Sequence, residues 1–287
     1  MEINKNTKIL IVGLGVIGGS YAKALTKKGY EIKAIDISQK TIDYALENKI
    51  IAYGTTDVDP ALVGEADIIV FALYPHTFKK WITDYQQYMR PGIIITDVTG
   101  VKGCIVYDIQ SILRPDVEFI AAHPMAGRER SGVEYSDDRV FIGANFIVTP
   151  TKKNSREAIE LCKSLGTELG FTRISEISPE LHDEMIAFLS QLTHCIAVSL
   201  MTAGENPKLR DYTGDSFRDL TRIAKINDEM WSELFLLNRK SLISCMDLYM
   251  NEMQKLRSFL EHDDRESLRE MMRFSTKRRA LFDKKPE

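Results

Sequence analysis

The first 176 residues alternate between short apolar runs and longer stretches whose apolar positions recur at helical spacing. The short runs are rich in β-branched residues with little polar interruption, as expected of strands buried on both faces. The predicted strands are residues 9–13, 31–35, 66–73, 93–97, 117–122, 145–149 and 171–174. The predicted helices between them are residues 16–28, 38–48, 77–89, 102–113 and 155–169. This alternation predicts an α/β fold with a doubly wound parallel sheet.

The remaining residues, 177–287, have a different pattern. Fifteen of the 17 glycines lie before residue 171, and the later apolar positions follow the period of helices. The predicted helices are residues 179–203, 216–224, 227–261 and 264–282. We therefore predict two domains, residues 1–176 and an all-helical domain of residues 177–287. Helices this rich in Leu, Met and Ile need a partner surface, and a second copy would form a homodimer through the helical domain.

Charge and composition exclude several kinds of partner. The net charge is −3 and neither half of the chain is basic, so we expect no nucleic-acid binding. No window approaches 18 consecutive apolar residues, and the N-terminus lacks a charged segment followed by an apolar one. We therefore expect a cytoplasmic protein that does not enter a membrane. The four cysteines are scattered without metal-ligand spacing, so we expect no metal site.

The strongest motif follows the first predicted strand. Gly13, Gly15 and Gly18 have the GxGxxG spacing, with a strand before them and a helix after them. The first glycine permits a tight turn, the second lets a pyrophosphate approach the backbone, and the third lets the helix pack on the strand. The motif predicts a Rossmann-like dinucleotide site, and the ordinary alternative is a glycine turn without a ligand. The predicted cofactor contacts are Gly13, Leu14, Gly15, Val16, Ile17, Gly18, Asp36, Leu73 and Tyr74.

Asp36 ends the second predicted strand, 18 residues after Gly18. An acid at this place accepts hydrogen bonds from the ribose hydroxyls of the adenosine half of the cofactor. Ile37 and Ser38 follow it, with no arginine nearby to pair with a 2′-phosphate, so the sequence favours NAD over NADP. The alternative is that Asp36 serves only as a helix cap.

Three side chains outside this loop suit chemistry on a small-molecule substrate. His123 directly follows a predicted strand, where a neutral imidazole either accepts a proton from a substrate hydroxyl or simply bonds to backbone. Arg222 shares the flank of a predicted helix with Arg218, and it either pairs with an acid or holds a carboxylate. His194 lies in an apolar helix, where a lone histidine is usually a core residue. The pair His182-Asp183, in the first turn of that helix, could be solvated.

Six segments together resemble the prephenate dehydrogenase family, in the family's order. The segments are GLGVIGGS (13–20), TDVTGVK (96–102), HPMAGRERSG (123–132), SPELHD (178–183), SQLTH (190–194) and FRDLTRIA (217–224). The resemblance covers nearly the whole chain, from about residue 8 to residue 282. The HPMAG and RDLTRIA segments are specific to the family, whereas the glycine loop alone would not be.

The resemblance implies the NAD-dependent oxidative decarboxylation of prephenate to 4-hydroxyphenylpyruvate in tyrosine biosynthesis. It implies that His123 takes the proton of the ring hydroxyl and that Arg222 holds a substrate carboxylate. It also implies that His194 contacts the substrate and that Glu129 helps to order the polar network.

Two positions depart from the family's pattern. Gly100 stands where the family often has a serine that assists the histidine, and the neighbouring Thr99 is the candidate replacement for its hydroxyl. Gln191 stands where the family often has a histidine, and we expect it to contact the substrate instead. Both departures leave the preferred side chain of the substrate open, so arogenate is the alternative substrate.

Two other classes of protein remain open. A β-hydroxyacid dehydrogenase shares the glycine loop and a helical second domain, but it would use a catalytic lysine in that domain, which we do not find. A cofactor-binding sensor without turnover would fit the changes at Gly100 and Gln191. Retention of His123 and Arg222 argues against a sensor.

Overall fold

The computed structural model describes residues 3–127 and 130–283, and these ranges contain nine strands in two sheets. The strands are β1 (Ile9–Val12), β2 (Ile32–Ile35), β3 (Tyr53–Thr55), β4 (Ile68–Phe71), β5 (Ile94–Asp97), β6 (Glu118–Phe119), β7 (Ala121–Pro124), β8 (Asn145–Thr149) and β9 (Arg173–Glu176). The first six form a parallel sheet in the order β3-β2-β1-β4-β5-β6, which confirms the predicted doubly wound sheet. The strand order reverses between β1 and β4, and ligands of such sheets bind at this switch point.

The predicted strand 117–122 is wrong, because Ile120 separates β6 from β7 and these two strands belong to different sheets. In the second sheet, β7 pairs antiparallel with β8, and β8 pairs parallel with β9. His123 therefore lies within β7, opposite Ile147, and not in a loop after the strand. The apolar run hides the break since the residues on both sides of it are buried.

Twelve α-helices lie in the described ranges. They are α1 (Val16–Lys27), α2 (Gln39–Glu47), α3 (Pro60–Glu65), α4 (Pro75–Tyr85), α5 (Gly103–Ile112), α6 (Arg156–Leu169), α7 (Pro179–Ile186), α8 (Leu192–Thr202), α9 (Asp215–Thr221), α10 (Asp228–Leu237), α11 (Arg239–Glu261) and α12 (Arg265–Arg279). Shorter 3₁₀ segments are Gln86–Tyr88, Val133–Tyr135, Asp138–Phe141, Pro207–Tyr212, Arg222–Ala224 and Ala280–Phe282. Ser38 and Ser178 cap α2 and α7, since their side chains accept hydrogen bonds from Thr41 N and Leu181 N.

Some elements differ from the predicted pattern. The sequence predicts neither β3 nor α3, because three and six residues are too few to show a period. The predicted helix 227–261 is two helices, α10 and α11, which are separated at Asn238. The predicted helix 179–203 is a continuous helical run in which the π-helical segment Ala187–Gln191 joins α7 to α8. This run, Pro179–Thr202, is apolar enough to span a membrane by length and composition alone, a property that core helices of soluble proteins share.

Two hydrophobic clusters cover the two faces of the six-stranded sheet. Alternate residues of β1 belong to different clusters: Ile9 and Ile11 to one, Leu10 and Val12 to the other. The first cluster contains apolar side chains of α1 and α6, and the second contains those of α4 and α5. Helices on both faces leave the carboxyl edge of the sheet as the place for a ligand.

The chain divides into two compact units, residues 1–239 and 240–287. The first unit contains both sheets and the helices up to α10. Within it, α7 of the helical region packs against α5. The second unit contains α11 from Lys240 onwards and α12, and several of its apolar side chains are exposed. They include Ile243, Leu248, Met253, Met272 and Phe274. The predicted domain boundary between residues 176 and 177 stays a prediction.

Candidate active site

The glycine loop turns tightly between β1 and α1 and leaves one side open. Gly13 has a φ of +95°, and a Cβ atom there would lie 2.5 Å from the carbonyl oxygen of Ala72. A Cβ atom on Gly18 would lie 2.0 Å from the carbonyl oxygen of Gly13. Gly15 is exposed, and no other part of the chain comes within 4 Å of where its Cβ would be. A phosphate group can therefore approach the backbone at Gly15, beside the N-terminus of α1.

The carboxylate of Asp36 lies beside the glycine loop and is oriented by two backbone amides. Its Oδ2 accepts the N–H of Leu14 at 2.7 Å, and its Oδ1 accepts the N–H of Ser38 at 2.9 Å. Ser38, not Asp36, caps α2. The Asp36 side chain is half-buried, and each carboxylate oxygen keeps a lone pair for a ligand hydroxyl.

Leu73 and Tyr74 follow β4 at the same edge of the sheet. A Cβ atom on Gly13 would lie 3.0 Å from Leu73 Cδ2, so Leu73 packs against the glycine loop. Tyr74 immediately precedes α4, and its hydroxyl accepts a hydrogen bond from Asn227 Nδ2 at 3.2 Å. The predicted cofactor contacts after β1 and β4 are therefore neighbours at the switch point.

A chain of hydrogen bonds runs from Asp183 through His182 to His123. Asp183 Oδ1 lies 2.8 Å from His182 Nδ1, and His182 Nε2 lies 2.9 Å from His123 Nδ1. The Asp183 carboxylate also accepts the backbone N–H groups of Lys102 and Gly103, at 2.8 and 2.7 Å, where α5 begins. The N-terminus of α5 thus stabilises the negative charge of Asp183.

These contacts determine which nitrogen of each imidazole carries the proton. The Asp183 carboxylate can only accept, so His182 Nδ1 donates to it. His182 Nε2 then accepts from His123 Nδ1, which leaves His123 Nε2 unprotonated. A Cβ atom on Gly100 would lie 3.9 Å from His123 Nε2, so this nitrogen faces Gly100.

A buried ion pair connects the loop after β5 to the strand that carries His123. Lys102 Nζ donates to both carboxylate oxygens of Asp97, at 2.9 and 2.7 Å, and neither side chain is exposed. Asp97 Oδ1 also accepts the N–H of Ala122, the residue before His123, at 3.1 Å. Since the N–H of Lys102 donates to Asp183, the ion pair joins β7, this loop and α7.

Thr99 points into the same buried cluster, and this corrects its predicted role. Its hydroxyl lies between a carboxylate oxygen of Asp97 and the carbonyl oxygen of Val101, which is 3.0 Å away. Lys102 Nζ lies 3.2 Å from the same hydroxyl, and the side chain is buried. The Thr99 hydroxyl is therefore engaged within the loop, and this orientation does not support its replacing a hydroxyl at position 100.

The imidazoles of His123 and His182 are both uncharged at neutral pH. Burial lowers the pKa of His123 well below its ordinary value, and the nearby His182 and Lys102 lower it further. Burial also lowers the pKa of His182, although its hydrogen bond to Asp183 opposes this effect. Burial likewise lowers the pKa of Lys102, against the raising effect of Asp97. His123 is therefore able to accept a proton from a substrate.

His194 stacks on Trp231 of α10, with ring centroids 3.8 Å apart and planes 30° apart. His194 Nδ1 donates to the carbonyl oxygen of Ser190 at 2.9 Å, which fixes the orientation of the ring. Arg222 begins the 3₁₀ segment Arg222–Ala224, which packs against α8, the helix that carries His194. The Arg222 side chain is exposed. Two predicted substrate contacts therefore come from packed neighbouring elements.

Gln191 is buried, contrary to its predicted place beside the substrate. Its Nε2 donates to the carbonyl oxygen of Leu234 at 3.0 Å, and its Oε1 accepts from Asn238 Nδ2 at 2.8 Å. With both ends of the amide used and 1% of the residue exposed, Gln191 does not present a group to a ligand. Glu129, the other predicted contact, lies outside the described residues.

Sequence reasoning missed the roles of His182, Asp183 and Lys102. His182 is 0% exposed, so the interpretation of the pair as solvated was wrong. One signal for this was available: His182 precedes the apolar Ile186 by four residues, which places it on the buried face of the helix. For Lys102, the spacing of five residues from Asp97 gave no such signal, because a loop connects them.

Residues 3–127 and 130–283 contain no group of three or more His, Cys, Asp or Glu side chains that could hold a metal ion. Cys104, Cys162 and Cys195 are thiols outside any disulfide. Burial raises the pKa of Cys104 to about 11 and that of Cys162 to about 12, so both thiols are protonated at neutral pH.

Comparisons with known proteins cover most of the chain. Residues 21–174 match the family model described as prephenate dehydrogenase, nucleotide-binding domain, and residues 178–274 match prephenate dehydrogenase, dimerization domain. A prephenate dehydrogenase of Bacillus subtilis is 32% identical over 269 residues, which cover 91% of this chain and 72% of that protein.

Two solved structures are similar over nearly their whole length. The A. aeolicus prephenate dehydrogenase in complex with hydroxyphenyl propionate and NAD⁺ has a TM-score of 0.88 and 32% identity, covering 96% of this chain and 98% of that one. The Synechocystis arogenate dehydrogenase has a TM-score of 0.82 and 25% identity, covering 96% of this chain and 100% of that one.

Proposed function

The chain belongs to the prephenate dehydrogenase family, and we propose that it catalyses the NAD-dependent oxidative decarboxylation of prephenate to 4-hydroxyphenylpyruvate, a step of tyrosine biosynthesis. The observation that carries this proposal is the series of hydrogen bonds that links Asp183, His182 and His123. It leaves an unprotonated nitrogen in the catalytic region, suited to deprotonating a ring hydroxyl.

The residues of the switch point fit NAD. Gly15 is open to a pyrophosphate, and the oriented carboxylate of Asp36 has free lone pairs for the hydroxyls of the adenosine ribose. Residues 37–40 include no arginine that would pair with a 2′-phosphate, which supports NAD over NADP. When bound, NAD supplies the acceptor for the hydride that the ring carbon loses.

His123 moves the proton in this reaction. Its Nε2 accepts the proton of the ring hydroxyl while the hydroxyl-bearing carbon is oxidised, so that a ring carbonyl forms. The bond between the ring and its carboxylate then breaks, CO₂ leaves, and the electron pair enters the ring, which becomes aromatic. The protonated His123 returns its proton to the ring oxygen. Such general acid–base catalysis contributes about 10²–10⁴ to the rate.

His182 and Asp183 position His123 without touching the substrate. His182 is fully buried, and Asp183 receives three N–H donors that fix its carboxylate. When His123 becomes positively charged, His182 and Asp183 can stabilise that charge through the hydrogen bond between His123 and His182. The Asp97 carboxylate, paired with Lys102, holds the backbone N–H of Ala122, the residue before the base.

Arg222 and His194 bind the carboxylate end of the substrate in this proposal. The arginine side chain is exposed on a segment that packs against the helix of His194, so both can face one ligand. A charge-assisted hydrogen bond from Arg222 contributes about 1.5–3 kcal/mol to binding. Glu129 remains part of the proposed substrate site, whereas Thr99 and Gln191 do not.

We further propose a cytoplasmic homodimer formed through the helical region 177–287. The match to a dimerization domain over residues 178–274 supports this assembly. Exposed apolar side chains on α7 and on the π-helical segment, such as Met185, Phe188 and Leu189, supply a surface that a second copy would bury.

Turnover of two substrates with two cofactors tests the proposed function. Purified protein is mixed with prephenate or arogenate, each with NAD or NADP, and reduced nicotinamide is followed by absorbance. We expect the highest kcat/KM for prephenate with NAD. Turnover of arogenate alone would make the chain an arogenate dehydrogenase, and nucleotide binding without any turnover would make it a sensor.

A further inference from the structure

Two buried amide side chains, Gln191 and Asn238, are bonded to each other at the junction of three helices. Gln191 is 1% exposed and Asn238 is 5% exposed. Asn238 Nδ2 donates to Gln191 Oε1 at 2.8 Å, and Gln191 Nε2 donates to the carbonyl oxygen of Leu234 at 3.0 Å. Buried amides with this many defined partners hold the backbone groups that they contact in fixed positions.

One backbone group held in this way belongs to the catalytic chain. Asn238 Nδ2 also donates to the carbonyl oxygen of Asp183 at 2.9 Å. The Asp183 side chain orients His182, which in turn orients His123. Three hydrogen bonds therefore link Asn238 to His123, and the path between the first and the second runs through the covalent bonds of Asp183.

The second backbone group belongs to Leu234 of α10. The Leu234 side chain is buried, and a Cβ atom on Gly100 would lie 3.5 Å from its Cδ1. Leu234 thus packs against the loop that faces His123 Nε2. Through the carbonyl oxygens of Asp183 and Leu234, the amide pair connects α7 to α10.

The local helix geometry gives Gln191 its place in this arrangement. Residues Ala187–Gln191 are π-helical, and the N–H of Leu192 donates to the carbonyl oxygen of Ala187, five residues back. A π-helical turn contains more residues than an α-helical turn, so it changes which side of the helix the following residues face. The turn ends at Gln191, and the Gln191 amide anchors that end to α10.

We propose that Gln191 and Asn238 are positioning residues for proton transfer, which act on His123 through Asp183 and His182. This inference rests on the proposed function, since it concerns the same reaction. The pair touches neither substrate nor cofactor. Its loss lowers kcat, because it misaligns the base, and it leaves the binding of NAD at the glycine loop unchanged.

The test compares Gln191→Met, Asn238→Leu and the double variant with the parent enzyme. These substitutions keep the approximate size of each side chain and remove its hydrogen bonds. We expect kcat for prephenate to fall by about tenfold or more in each single variant, because small displacements of a catalytic group are costly. We expect the double variant to be about as slow as the slower single variant, since the two residues act as a unit.

Two controls separate positioning from a general loss of structure. Gln110→Met removes the amide of a half-buried side chain elsewhere in the fold, which bonds to Phe119 and Thr151, and it should leave kcat unchanged. The KM for NAD and the dissociation constant of NADH should stay within about twofold of the parent values in all variants, as expected when only the transition state is affected.

Each outcome has a separate meaning. Reduced kcat with unchanged NADH binding supports the inference. Unchanged kcat in both single variants overturns it, and so do multiplicative effects in the double variant or an equal loss in Gln110→Met. A parent enzyme that turns over neither prephenate nor arogenate overturns the proposed function, and the positioning role with it.

Discussion

The Nδ1 atom of His123 lies 2.9 Å from the Nε2 atom of His182, with the two ring planes 62° apart. A bond between two imidazoles needs one donor and one acceptor, and the contact of His182 with Asp183 decides which is which. The consequence is a neutral His123 whose Nε2 is free to accept a proton.

Replacing His123 with Asn should remove the base and preserve the fold. We expect kcat for prephenate to fall by about 10²–10⁴, with KM for NAD nearly unchanged, because only proton transfer is lost. Steady-state kinetics of NADH formation measures both values. His262→Asn, at an exposed histidine directly after α11, is the matched control and should be fully active. Full activity of His123→Asn would remove His123 as the base.

Replacing Asp183 with Asn should move the proton of each imidazole, in His182 and in His123, to the other ring nitrogen. The amide has only one acceptor oxygen for three N–H donors, so His182 can carry its proton on Nε2 instead. His123 then carries its proton on Nε2 and cannot act as a base. We expect kcat to fall by about 10²–10⁴, as is typical when a catalytic imidazole has the wrong tautomer. Asp108→Asn, at an exposed ion pair, should have no effect, and equal kcat values for the two variants would refute this interpretation.

The pH dependence of kcat/KM should reflect the lowered pKa of His123. Burial and the neighbouring His182 and Lys102 keep its pKa well below 6.5, so the base remains neutral from pH 8 to below pH 6.5. Activity should decrease only at lower pH, as the imidazole gains a proton. A pH profile of kcat/KM for prephenate measures this limb. The assignment would be contradicted if kcat/KM fell to half its maximum already above pH 6.5 and this decrease were absent in His123→Asn.

The same pKa shifts predict a pH-dependent stability. The unfolded chain binds protons on His123 and His182 near pH 6.5, whereas the folded chain binds them only at lower pH. The two lowered pKa values should therefore leave the free energy of unfolding undiminished above pH 6.5. Below it, the free energy of unfolding should decrease as the pH falls, by at most about 1.4 kcal/mol per pH unit for each histidine. Urea unfolding at several pH values measures this decrease, which should be smaller in His182→Asn.

Replacing Arg222 with Gln should weaken substrate binding more than catalysis. The lost charge-assisted bond, about 1.5–3 kcal/mol, corresponds to a rise in KM for prephenate of about 10- to 150-fold. Arg218→Gln is the matched control, because Arg218 lies on the adjacent helix and bonds to Asp215. An unchanged KM in Arg222→Gln would return this arginine to a structural role.

Replacing Lys102 with Met should destabilise the protein. The substitution leaves the buried carboxylate of Asp97 without its counter-ion, a change that costs about 3–5 kcal/mol in other proteins. Denaturant unfolding measures the change. Lys79→Met removes a half-exposed ion pair with Asp108 and should cost no more than about 1 kcal/mol. Equal stability of the two variants would mean that the buried pair is not needed for folding.

Much of the fold could be predicted from local patterns. The bounds of α1 and β8 follow from periodicity to within one residue, because each element has a clear buried face or run. The separation of β6 from β7 could not be predicted, since the run 117–122 has no polar or glycine signal where it changes sheets. Asn238, which separates α10 from α11, has partners 47 and 55 residues away, so no local pattern shows why the helix breaks there.

The candidate site was predictable where its residues are close in sequence. The glycine loop and Asp36 follow from spacing, whereas His123, predicted to follow a strand, lies within β7. The orientation of Thr99 and the burial of Gln191 depend on Asp97 and Asn238, whose positions come only from the folded chain. The resemblance to a family identified the reaction but gave no orientation for these side chains.

The stoichiometry of the reaction tests the central claim most directly. Wild-type protein is incubated with a limiting amount of prephenate and excess NAD, and NADH, CO₂ and 4-hydroxyphenylpyruvate are quantified together. Proton transfer to His123 with oxidation and loss of the ring carboxylate predicts one mole of each product per mole of prephenate. NADH without an equal amount of CO₂, or no NADH from prephenate at all, would contradict the account.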